Sequence, residues 1–322
     1  MKKSALFFLC LLLIGPATKA HGLDLKELQT LLTRKIPPRR LKSMKGSEFA
    51  GLVSAMNRSQ REEAIQEELL DGNLPGFLRK LKPVRLGGVD EAGRPVSAII
   101  FVMPDYLAIG SERDFLHIPM DLHSATRIAG SFGFILPTAK MVDQIYCQAA
   151  YQFRPEPMCP GPWMTSTPYY RQHDRKIAQQ RLSLGCPLGA LISGHKKDLV
   201  MTNRLVNRPG RVAIYGWHRS ADSPIQPLST VHGATYADYS HGVRLVSEIV
   251  LINGRPVSIY DILKNEALAP ILCDEGAIPE AGVIMAGGPG NRPVPAADGE
   301  ALARRLWARL AGPPRLNPAP AR

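Results

Sequence analysis

Cysteine is scarce in this chain, acidic residues are outnumbered by basic ones, and no long apolar run follows residue 20. Cys10 lies inside an N-terminal apolar stretch and not at its end, which argues against a lipid-bearing cysteine. After residue 20, no segment offers the roughly 18 consecutive apolar residues that a membrane-spanning helix requires, so none is expected. A glycine-rich phosphate loop between a strand and a helix is missing, and with it the fingerprint of nucleotide-binding folds. Missing too are a Gly-x-Ser-x-Gly nucleophile elbow, a compact zinc signature and an internal repeat. The basic residues are scattered and not interleaved with a stacking platform, which speaks against nucleic acid as a partner.

Residues 1–20 have the form of a cleavable secretory signal: Lys2-Lys3, the apolar stretch Ala5 to Ile14, then Thr18-Lys19-Ala20. The expected mature chain begins near His21 and is periplasmic or secreted. Loss of Lys2, Lys3 and Lys19, with no acidic residue among residues 1–20, lowers the formal charge from +12 to +9. For an exported protein that balance favours an anionic cell-envelope polymer or glycan as partner. Cys147, Cys159, Cys186 and Cys273 remain. An even number in an oxidising compartment predicts one or two disulfides. The group Cys147, Cys159 and Cys186 is the preferred place, and buried thiols are the alternative in a chain long enough to hold itself together.

Residues 21–74 read as a helical N-terminal subdomain, with leucines at helical spacing from Leu23 to Leu32, a stop at Pro37-Pro38, and helices over Ser47 to Met56 and Gln60 to Leu70. Residues 75–276 read as the main domain. Strands are expected at Val96 to Met103, Tyr106 to Ile109, Phe115 to Ile118, Leu199 to Thr202, Val212 to Tyr215 and Val243 to Ile252, the last folded back at Asn253-Gly254. Helices are expected at Ser124 to Phe132, Thr138 to Tyr151, Arg171 to Leu182, Ile259 to Lys264 and Ala267 to Leu272. Residues 277–322 form a low-complexity tail with one amphipathic helix, Gly299 to Leu310, and disorder from Pro313. The expected class is α+β, an N-terminal helical subdomain packed on a mixed or antiparallel β-rich core with flanking helices.

Chemistry concentrates in Val231 to Arg244, and four of the eight histidines fall between His195 and His241. So many titratable side chains among small residues are costly to bury without purpose. Three chemistries fit the residue types. Ser240 could be a nucleophile with His232 or His195 as base and Asp238 as orienting group, although neighbours such as Ser240 and His241 face opposite ways on a strand. His195, His218, His232 and His241, with Asp198 and Asp238, would also fill a zinc site with an open position. Acid–base catalysis by His232, Asp238 and His241 needs the least special geometry.

The run Ser240-His241-Gly242-Val243-Arg244-Leu245, with His232-Gly233 before it, resembles the Ser-His-Gly-Cys signature of L,D-transpeptidases, enzymes that cross-link peptidoglycan. Val243 stands where that family carries its catalytic cysteine, and without a thiolate the acyl-enzyme mechanism cannot run. Met103 to Gly110, Leu136 to Asp143, Gly194 to Asp198 and Asp238 to Val246 resemble a family of uncharacterised exported bacterial proteins, which implies one family domain over about residues 75 to 276 and no activity. The residues themselves then point to an exported hydrolase-like enzyme acting on envelope glycan or peptide. His232 and His241 are its acid and base, Asp238 orients, and Ser240 is nucleophile or hydrogen-bond donor. Arg244, His195 and Lys196 hold an anionic substrate, with Trp217, His218, Tyr236 and Tyr239 lining it. No cofactor is firmly implied beyond a divalent metal such as zinc. The other class is an envelope- or carbohydrate-binding protein stacking sugars on Trp217, Tyr236 and Tyr239.

Overall fold

The computed structural model describes residues 25–287 and 301–307. The expected signal segment and most of the low-complexity tail lie outside the described residues; within the tail, residues 301–307 are helical.

Three helices come first: α1 (Leu25–Leu32), α2 (Gly46–Leu52) and α3 (Arg58–Leu70). At the start of α3 the Asn57 side chain accepts from the Gln60 amide and the Gln60 side chain from the Asn57 amide, a reciprocal cap that holds the first turn. Next come β1 (Lys82–Val89), β2 (Pro95–Val102), β3 (Ala108–Gly110) and β4 (Phe115–His117). α4 (Leu122–Phe132) is capped by Asp121 and stopped by Gly133, whose positive φ of 79° no β-carbon-bearing residue adopts cheaply. β5 (Phe134–Ile135), α5 (Ala139–Gln148), β6 (Tyr151–Gln152) and α6 (Thr167–Ser183) follow. Then come β7 (Ile192–Ser193), β8 (Lys197–Leu199), β9 (Ile214–His218), β10 (Pro224–Ser229) and β11 (His241–Gly242). β12 (Val246–Ile252), β13 (Arg255–Ser258), α7 (Ile259–Lys264) and α8 (Ala281–Met285) complete the named elements.

The larger sheet is antiparallel in the order β1-β2-β12-β13, with β5 also pairing β12. Every residue of β12 but Ile252 is buried, as a strand covered on both faces must be. Asn253 and Gly254 both have positive φ, 48° and 79°, and make the expected hairpin turn into β13. The second sheet, β10-β9-β8-β11, is mixed, because β8 and β11 run parallel. Helices gathered around mostly antiparallel sheets make this an α+β fold. Leu28, Phe49, Ile65 and Leu69 from the first three helices join Ile100, Val102 and Val250 of the larger sheet in one buried cluster. Full burial of each such side chain stabilises by roughly 1.5–3 kcal/mol.

Four expectations need correction. The strand expected from Val243 starts at Val246, because the Val243 and Leu245 carbonyls accept from the amides of Leu107 and Met103 and leave the ladder. β8 begins at Lys197 rather than Leu199, and β9 runs on to His218. β1 and β10 were not foreseen: the first carries Gly87-Gly88 and mostly exposed positions, the second prolines at Pro224 and Pro227, both of which mask a strand pattern. Finally, none of Cys147, Cys159, Cys186 and Cys273 forms a disulfide. Cys147 and Cys159 are exposed, whereas Cys186 is buried with its sulfur 3.6 Å from Arg181 Nη1, so its thiol faces the interior. Among the described residues no helix is long and apolar enough to cross a membrane.

Candidate functional site

The parallel pairing of β8 with β11 sets His241 opposite Lys197 and Gly242 opposite Asp198, while β9 lies on the other side with Gly216 opposite Lys197. The stretches Gly194 to Asp198, Tyr215 to His218 and Asp238 to Arg244 therefore lie side by side. Gly242 permits this approach: a β-carbon there would fall 2.6 Å from Tyr106 Cδ1 and 2.8 Å from Lys196 Cβ. Trp217 sits at φ 58°, a conformation that costs a non-glycine residue roughly 1–2 kcal/mol. The Lys197 ammonium lies 5.2 Å from its ring centre.

Asp238 is the centre of the first cluster. Its Oδ1 accepts from Ser240 Oγ at 2.6 Å and from the Ser240 amide at 2.8 Å; its Oδ2 accepts from Tyr236 Oη at 3.1 Å and lies 3.9 Å from His241 Nε2. The His232 and Tyr236 rings stack at 4.3 Å, and the His232 and His241 ring centres are 6.1 Å apart. Burial pushes the Asp238 carboxyl up, but His241, Ser240 and Lys197 outweigh it and hold the group below its usual range. Burial pulls His241 down to about 4, so its imidazole is neutral at pH 7, and neither ring nitrogen has a hydrogen-bond partner. His232 is half-buried and lowered by the same cause. All four residues expected to be catalytic are thus together, with His232 and Tyr236 toward solvent and the rest behind them.

The residues expected to hold substrate are distributed differently. His195 Nε2 donates to Asp105 Oδ1 at 3.1 Å, and Lys196 Nζ donates to the Tyr239 carbonyl at 2.6 Å. Arg244 bonds the carbonyls of Met103 (2.9 Å) and Ile192 (2.7 Å) and stacks over Tyr106 at 4.4 Å. These three are at most 1% exposed, so their polar atoms are used inside the protein, and burial pulls His195 down to about 4, which leaves it uncharged. His218 pairs with Asp143 at 2.9 Å, shares that carboxylate with Tyr215 Oη, and stacks on Tyr146. Trp217 and Tyr239, 4% and 3% exposed, offer no open ring for a sugar, which leaves Tyr236 alone of the three expected stacking residues. Val243, at the position of the cysteine in the resembling signature, is buried in the core.

His195, His218, His232 and His241, with Asp198 and Asp238, were one candidate set for a zinc site. Among the described residues, the one group of three ligand-type side chains with donor atoms within 4.8 Å of one another is Asp105, His117 and His195. His117 Nε2 lies 3.0 Å from Asp105 Oδ2 and its Nδ1 lies 2.6 Å from Asp174 Oδ1, the carboxylate–imidazole arrangement that orients a metal-binding histidine. The Asp105 carboxylate is already satisfied without an ion, since its Oδ1 also accepts from the Tyr106 amide at 2.8 Å and its Oδ2 from Arg181 Nη2 at 2.6 Å. Burial pulls His117 down, yet Asp105 and Asp174 outweigh it and raise the group to about 9. With His117 and Arg181 positive against Asp105 and Asp174, the cluster balances as a buried ion network.

Asp105, Tyr106, His117, Asp143, Asp174, Arg181 and Lys197 complete these sites and were not singled out as site residues. Asp105 and Asp143 were visible only as members of the stretches resembling other exported proteins. Comparison of the chain with protein-family models, with curated proteins and with solved structures gave no match.

Proposed function

We propose that the chain is an exported hydrolase-like enzyme that cleaves anionic cell-envelope glycan or peptide by acid–base catalysis at its His/Asp centre. The observation that carries this reading is the charged Asp238 carboxylate held beside the neutral, unpartnered His241 imidazole and behind the half-exposed His232. A neutral imidazole is a competent base, and a buried carboxylate stabilises the cation formed when it takes a proton. His232 is the group that a water molecule or substrate meets first, and its depressed pKa keeps it in the accepting form at neutral pH. Burial and Asp238 push the Tyr236 phenol up to about 12, so it stays protonated and able to donate. Water is the nucleophile in this reading, because the Ser240 hydroxyl donates to Asp238 and orients it. Export and the envelope substrate rest on the signal-like residues 1–20 and on the positive charge.

The test is release of soluble fragments from purified peptidoglycan and from acidic envelope glycans, followed by mass spectrometry. Asp238→Asn is expected to lower the rate by about 100-fold or more, the usual scale for loss of an acid–base group. Ser240→Ala should keep at least a tenth of the rate, as a positioning residue does, with Asp238 still in place. Fragment release unchanged in Asp238→Asn would overturn the His/Asp centre as the catalytic site, and no release from any polymer by the native protein would overturn the enzymatic reading in favour of a binding protein.

A further inference from the structure

A cleft with a volume of about 390 Å³, lined by Arg208, Pro209, Arg211, Thr230 and Val231, opens next to His232. Its walls are laced together: the Val212 amide donates to the His232 carbonyl at 3.1 Å, the Ala234 amide to the Gly210 carbonyl at 2.8 Å, and Arg211 bridges Gly233. The loop carrying both arginines is thereby fixed against the segment that carries His232.

Each guanidinium is anchored to an uncharged acceptor. Arg208 Nη1 donates to Thr230 Oγ1 at 2.9 Å, and Arg211 Nη1 donates to the Val231 carbonyl at 2.6 Å. Among the described residues neither arginine is paired with an acid, whereas nearby Arg204 lies 3.2 Å from Glu275. A guanidinium presents five N–H donors in a planar fork, so each keeps several for a ligand. Two exposed, pre-anchored forks at a concave surface are suited to bidentate binding of an oxyanion.

We infer that this cleft is a carboxylate-binding subsite for an acidic glycan, which it places beside His232; the inference rests on the catalytic reading of His232 and Asp238 given above. The volume is near the lower end of the range for small-ligand sites, about 300–1,000 Å³, and suits a charged sugar unit more than an extended chain. The chain that runs on from Val231 carries the stacked, half-exposed rings of His232 and Tyr236, a flat face of the kind a pyranose ring packs on. The cleft also accounts for anion recognition in a protein whose Arg244, Lys196 and His195 are turned inward.

Calorimetric titration of the full chain with polygalacturonate, with its methyl-esterified neutral form, and with polyglutamate tests this directly. The native protein should bind the acid form at least tenfold more tightly than the ester. Arg208→Gln/Arg211→Gln should lose that tenfold preference, and the control Arg113→Gln/Arg175→Gln, at exposed positions elsewhere, should keep it. If the double variant melts early, Arg208→Gln alone makes the same comparison, since its guanidinium is anchored to the Thr230 hydroxyl. Equal binding of acid and ester, or a double variant that binds like the native chain, overturns the subsite. Arginine-dependent binding of polyglutamate in place of the glycan overturns the sugar assignment. Asp238→Asn should bind as the native protein does, so arginine-dependent binding without turnover would sink only the catalytic reading, and turnover with an unchanged KM in the arginine variant only this one.

Discussion

His117 carries a buried charge that depends on pH. Its folded-state pKa of about 9 exceeds the ordinary 6.5, so the folded protein holds a proton that the unfolded chain releases first. The stabilisation from that proton is complete below pH 6.5 and is lost as pH rises through 9, by an amount that linkage limits to about 3 kcal/mol. Urea unfolding of native protein and His117→Gln at pH 6 and at pH 9.5 should show the gap between them narrowing at the higher pH. A gap of the same size at both values would show that His117 is not protonated in the fold. The neighbouring carboxylate illustrates why this cluster was hard to see in the sequence. Asp105 follows the apolar run Val96 to Met103 and a proline, where an acidic residue ordinarily marks a turn at the surface; here it accepts from Tyr106, His117, His195 and Arg181 inside the protein. Asp238 and its partners were legible because they lie within five residues of one another. Arg208 and Arg211 resembled ordinary loop charges, since nothing local records that a wall built from Thr230 and Val231 stands opposite them.

At the scale of elements, two short strands decide the geometry. β8 and β11 share only two residue pairs, yet their contact sets Lys197 against His241 and brings the Asp238 turn to the second sheet. Gly242→Ala would drive a methyl group into the Tyr106 ring and the Lys196 stem, and overpacking of this kind typically costs about 1–3 kcal/mol. The variant should melt several degrees lower and lose fragment release together with stability. An unchanged melting temperature would mean that the strands can separate without consequence. Long periodic elements such as β2 and α4 were readable because a buried run or a capped amphipathic stretch is a local pattern. The two-residue strands β5, β6, β7 and β11 were not, because they exist only through their partners.

At the scale of the whole molecule, the fold relies on packing and not on covalent staples. One apolar cluster runs from the first helices to residues Leu302 and Leu306. A reductant should therefore matter little: melting curves with and without one are expected to superimpose within about 2 °C, where loss of even one stabilising bridge would lower stability by about 2–4 kcal/mol. A large downward shift on reduction would show that cysteines bridge in the isolated protein.

The order of strands in the larger sheet has one more consequence, and it concerns time. β2 has β1 on one side from the moment both are made, but its other edge must wait for β12, with Ile100 pairing Val250. A chain made from its N-terminus therefore carries a half-covered hairpin through about 150 residues of further synthesis, and such long-range pairing closes slowly. Residues around Val250 act as the keystone of this chain: until they arrive, β2 has no strand to settle against on its second edge.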